Sequence, residues 1–215
     1  MKKRTLEEKK DNFSVALGLF DYINPILYAI TTFTIAKNLY YMTKPAVFVL
    51  FVIGAIISLI FGLTIPTVKF IVGLGIMKFK MPVNLVCFVN CGIFLSGVML
   101  FYAILQPKLW VFLLIAAAAL VLLGLIYLKT RKFNTVAVLI GAVGYLLIYT
   151  TMIRYCLDVG HIASVVLYGV AICLFVMLCG IGIKGNLKDA RVHWVIEISN
   201  VLCQLCVAIA TLLAF

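Results

Sequence analysis

Residues 45–68 read PAVFVLFVIGAIISLIFGLTIPTV and contain no charged side chain. A helix rises ~1.5 Å per residue, so this run is long enough to cross a hydrocarbon core ~30 Å thick. Lipid offers the backbone no hydrogen-bond partner, so a stretch of this kind must satisfy its own amides as a helix. On either side of it the same pattern recurs. Further apolar runs occupy 81–106, 109–128, 133–153, 159–183 and 192–215, and the apolar stretch 70–77 between lysines either prolongs the second helix past Pro66 or forms a short interfacial piece. A less clean run covers 13–40; it starts near Phe13 if Asp21 is inside the membrane, or near Tyr22 if Asp21 sits at the interface. The predicted architecture is an all-α integral membrane protein, a single domain over residues 1–215 with about seven transmembrane helices after a cytoplasmic segment 1–12.

Composition points the same way. Hydrophobic residues make up 66% of the 215-residue chain and charged residues 12%, with a mean hydropathy of +1.23. A soluble domain is nearer a quarter charged, because it must keep a wet surface. Here the outer surface faces lipid, and no length remains for a separate soluble domain. No cleavable leader is expected, because the basic start runs into Glu7, Glu8 and Asp11.

The formal charge of +11 suggests nucleic acid only until the cations are placed. With seven spans and a cytoplasmic N-terminus, Lys2, Lys3, Arg4, Lys9, Lys10, Lys69, Lys78, Lys80, Lys129, Arg131, Lys132, Lys184, Lys188 and Arg191 fall inside. Lys37, Lys44, Lys108 and Arg154 fall outside. Fourteen of the 18 cations on one side is the positive-inside pattern, with the C-terminus outside, and the plasma membrane is the expected location. The expected partners are the bilayer, a small solute or ion, and a membrane-protein partner or second copy, with no nucleic acid.

Polar residues inside the runs are the candidate site. His193, Glu197, Asn200 and Gln204 are spaced four, three and four apart, which puts them on one face of the last helix. A carboxylate held in hydrocarbon costs several kcal/mol unless it is paired or lines a cavity, so this stripe is expected to face the bundle interior. Asp21 falls at similar depth on the first span, followed by Asn24 and Pro25; a proline there frees a backbone carbonyl. Asn90 on the third span completes the set. Against a binding role, Glu197 is equally explained as one half of a buried ion pair with a lysine or arginine, Asp21 as a helix cap, and Asn90 as helix-packing glue.

Other signals weigh less. Arg154, Asp158 and His161 cluster at one membrane edge and read as a solvated ion pair. Seven cysteines, mostly inside apolar runs, read as small buried hydrophobes rather than disulfide, metal or redox groups. Small residues at 92 and 96, at 137 and 141, and over 116–119 suit close helix packing. No H-E-x-x-H, G-x-S-x-G or phosphate-binding glycine loop is present, so catalysis is not favoured. No cofactor or metal is expected. The function this points to is a small transporter or channel-like protein, proton- or cation-coupled through Glu197. The alternatives are a non-catalytic membrane subunit whose polar stripe docks a partner, and an intramembrane enzyme acting on a lipid-type substrate with His193 and Glu197 as its acid–base pair.

Overall fold

The computed structural model describes residues 14–76, 83–108, 110, 121, 128, 133–184 and 190–215. They form α1 (Val15–Asp21), α2 (Ile23–Met42), α3 (Pro45–Gly73), α4 (Val83–Leu105), α5 (Phe133–Asp158), α6 (Ile162–Lys184) and α7 (Ala190–Ala214). Six helical stretches among the described residues are long and apolar enough to cross a membrane, α1 and α2 counting as one. The chain is therefore an integral, multi-pass helical membrane protein. The expected span 109–128 and the segment 1–12 fall outside the described residues, apart from 110, 121 and 128.

Two helix bounds differ from expectation in ways that matter. The second span does not stop at 68 but continues through Pro66 to Gly73, which carries Lys69 into the helix. At 29 residues α3 is about 43 Å long, longer than the hydrocarbon core requires. The first span is broken in two. Pro25 has no N–H, and its ring crowds the carbonyl of Asp21 four residues back, so the helix is interrupted at Tyr22. Asp21 sits at the break and is buried. The fifth span also runs on past 153 to Asp158.

Glycines end two helices. Gly75 and Gly160 take positive φ (75° and 80°), and the amide two residues beyond each last helical turn reaches back across it: Ile76 N–H to Ile71 at 3.3 Å, His161 N–H to Cys156 at 2.8 Å. Both are Schellman ends, in which only glycine takes the left-handed position without strain.

The helices pack in chain order, α2 on α3, α3 on α4, α4 on α5, α5 on α6 and α6 on α7, and α7 returns to α2 to close a ring. The α3–α4 seam is built on small residues. Ser58 and Ser96 hydroxyls donate across it to the carbonyls of Val89 (3.1 Å) and Phe51 (3.3 Å). A Cβ on Gly54 would lie 2.7 Å from the Gly92 carbonyl oxygen, so the backbones touch there. The small pair 92 and 96 thus lies at a helix crossing, as its spacing suggests; 116–119 lies outside the described residues. Asn90 packs its Oδ1 onto Gly141, and Phe94 lies against Gly144, so α4 and α5 run parallel. The α6–α7 pair is tied by Tyr168 and Thr211 hydroxyls at 2.6 Å and by the Cys203 thiol donating to the Ala171 carbonyl at 3.3 Å. Large apolar side chains such as Phe33 and Val176 cover the outside of the ring, facing lipid.

Candidate functional site

The short helix α1 sets up the site. Ser14 caps it, its hydroxyl accepting from the Leu17 amide at 3.1 Å. It then lies backbone to backbone on the last turns of α3. A Cβ on Gly18 would be 2.6 Å from the Phe70 amide nitrogen, and one on Gly73 would be 2.7 Å from that of Val15. On its other flank Phe20 meets Trp194 of α7, ring centroids 5.7 Å apart. Wedged in this way, α1 ends with Asp21 pointing at Lys69.

Four side chains from four helices close into one cluster. Lys69 Nζ donates to Asp21 Oδ2 at 2.7 Å and to Glu197 Oε1. Asn24 Nδ2 donates to Asp21 Oδ1 at 3.0 Å and to Glu197 Oε2 at 3.3 Å. All four residues are more than nine-tenths buried. Asp21 lies six residues into α1, Lys69 four residues from the end of α3, and Glu197 seven into α7, depths of about 9, 6 and 10 Å at 1.5 Å per residue. They therefore share one layer near the end of the bundle where Ser14 lies. With two carboxylates and one ammonium ionised, the cluster carries a net charge of −1; one added proton makes it neutral.

A part-open cavity of about 200 Å³ adjoins the cluster. Asp21, Asn24, Lys69, Glu197, Asn200 and Gln204 line it, with Tyr28 and Tyr145 at one end and Gly62 and Pro66 along one side. It is large enough for several waters or a solute of a few heavy atoms. Gly62 is the residue whose carbonyl Pro66 cannot bond, and a Cβ there would meet nothing within 4 Å. Of the residues singled out from the sequence, Asp21, Asn24, Glu197, Asn200 and Gln204 meet at this cavity. His193 and Asn90 do not line it: His193 is half-buried one turn nearer the membrane edge, and Asn90 is spent on the α4–α5 contact.

Lys69 is the residue the sequence reading misassigned, as a loop cation. The signal was present, since apolar residues flank it directly, Val68 before it and Phe70, Ile71 and Val72 after it, with no turn residue between Lys69 and Gly73. Its acidic partners lie 48 and 128 residues away, so no local pairing pattern reveals them. Arg154 and Asp158 form an exposed i,i+4 ion pair at 2.9 Å, as a solvated loop pair would. Among the described residues no three His, Cys, Asp or Glu side chains converge, so the cluster presents two carboxylates and an amide rather than a metal-ligand set. A scan of family models matches nothing, and neither the curated proteins nor the solved structures searched contain a match to this chain.

Proposed function

We propose that this protein is a small transporter, channel-like in size, whose transported or coupling species is a small cation, the proton included. The observation that carries this reading is the single cavity touching both buried carboxylates, the lysine between them and the amides of Asn24, Asn200 and Gln204. A purely structural ion pair has no need of a solute-sized space beside it. The net charge of −1 selects cations over anions, and the apolar surroundings strengthen that preference.

Lys69 acts as a tethered cation. When a proton arrives on Glu197, that carboxyl loses its hold on the lysine, which stays with Asp21 as a neutral pair. The tie between α3 and α7 is then released, and these helices are free to shift. Return of the proton to water restores the tie. The polar side chains of α7 face the interior, which favours an internal site over a docking stripe for a partner helix. The parallel run of α4 and α5, and that of α1–α2 with α7 (Phe20 on Trp194, then Asn24 on Glu197), favour an odd number of crossings, seven with 109–128 included. The bias of Lys and Arg supports a cytoplasmic position for the Ser14 end of the bundle, and so for the cluster, with the plasma membrane as the proposed location.

The test uses purified protein in liposomes carrying a trapped pH dye, with sodium, potassium and proton gradients imposed in turn. Glu197→Gln keeps the side-chain shape and is expected to lower cation-linked proton flux at least tenfold; unchanged flux in a well-folded variant sinks the mechanism.

A further inference from the structure

One face of α2 carries three polar atoms without a well-formed hydrogen bond, Tyr28 having only the Ser58 and Ser96 hydroxyls near it. Asn24 Oδ1, Tyr28 Oη and Thr31 Oγ1 are fully enclosed and without a hydrogen-bond partner. Their residues are 8%, 8% and 3% exposed and follow one another at i, i+4 and i+7, a single row pointing into the ring of helices. The neighbouring Thr32 shows the ordinary alternative, its hydroxyl bonded to the Tyr28 carbonyl at 2.8 Å. Buried polar groups are otherwise paired with protein or with water, so three in a row mark a wet path.

The space beside the row fits. Asn24 and Tyr28 border the charged cavity of about 200 Å³. Tyr28 and Thr31 border a second void of about 10 Å³, room for roughly one water. Tyr28, Tyr145 and Gln204 line both spaces, and so form the wall between them. Ile35 and Phe51, 2% and 1% exposed, pack against the small void on its apolar side.

We infer that the Asn24–Tyr28–Thr31 face of α2 lines a water file leading from the charged cavity toward the far end of the bundle, and that Tyr28, Tyr145 and Gln204 form the gate that interrupts it. In a carrier that exposes one site to each side in turn, something must separate the site from the opposite face, and this wall is placed to do so. The gate presupposes the transport reading above; the water file does not.

Two measurements test it, neither needing a substrate. The first is hydroxyl-radical footprinting of the unaltered protein in nanodiscs. Tyr28 is expected to oxidise at least ten times faster than Tyr168, which is fully buried and bonded to Thr211. Equal rates overturn the file. The second is labelling of Thr31→Cys by a small membrane-impermeant thiol reagent, read as the increment over the parent with its seven native cysteines. Labelling is expected to be slow with the wall intact and at least tenfold faster in Gln204→Ala or Tyr145→Ala, whichever elutes as the parent does. Fast labelling with the wall intact, or none after truncation, overturns the gate. Since flux through Glu197→Gln is read separately, loss of the transport reading and loss of the gate give different results.

Discussion

Replacing Lys69 by Met tests whether the charge cluster is a coupled unit. Methionine is close to lysine in length and shape, so packing changes little while both contacts of the ammonium vanish. What remains is a pair of carboxylates with side chains only 8% and 6% exposed, facing each other across the vacated position with Asn24 donating to both. Removing one partner from a buried ion pair costs about 3–5 kcal/mol, because the charge left behind is uncompensated. Two carboxylates in contact can share one proton, which brings the cost to the lower end, about 3 kcal/mol. That is roughly a hundredfold in the unfolding equilibrium. Glu197→Gln alone should cost less, about 1–2 kcal/mol, since Lys69 keeps Asp21. In the double variant the surviving carboxylate no longer faces a second one, so its cost falls below the sum by about 2 kcal/mol. The assay is reversible unfolding in mixed micelles across the four proteins of the cycle. Strict additivity, or a Lys69→Met protein within about 0.5 kcal/mol of the parent, would refute the pairing as the source of cohesion between α1, α3 and α7.

Two other substitutions probe the frame and the periphery. Gly18→Ala puts a methyl against the backbone of Phe70 and Lys69; the forced shift of α1 should cost about 1–3 kcal/mol and lower flux in the liposome assay, since Asp21 moves with the helix. Arg154→Ala breaks a pair whose side chains are 60% and 51% exposed; thermal unfolding should change by less than about 0.5 kcal/mol and flux should stay at the parent level.

How far the sequence alone carries depends on whether the cause is local. Uninterrupted apolar runs such as 45–68 report directly on lipid, so the membrane class and the approximate helices were legible. The row Glu197, Asn200, Gln204 is a property of one helix at 3.6 residues per turn, and it too was legible. The break at Tyr22 was half-visible, because Pro25 signals a disturbed turn without saying that Asp21 is drawn inward. Lys69 was hidden. A positively charged residue beside an apolar run is ordinarily a loop residue at the cytoplasmic edge, and only a carboxylate brought in by a distant helix overrides that. His193 and Asn90 show the converse limit: sharing a stripe or a polar type does not fix reach into a cavity, since one turn of helix or one glycine opposite decides it.

The order in which the three charges leave the ribosome has a consequence for biogenesis. Asp21 and Lys69 both belong to the first helical hairpin, α1–α2 and α3, so that hairpin enters the bilayer already carrying a neutral pair. Glu197 follows 128 residues behind Lys69. The last helix thus carries its acid into lipid after the first hairpin is made, and the lysine in that hairpin is placed to hold it. Insertion of α7 is in this sense completed by a residue made long before it, and a chain whose first hairpin had lost Lys69 would meet its difficulty only at the final crossing.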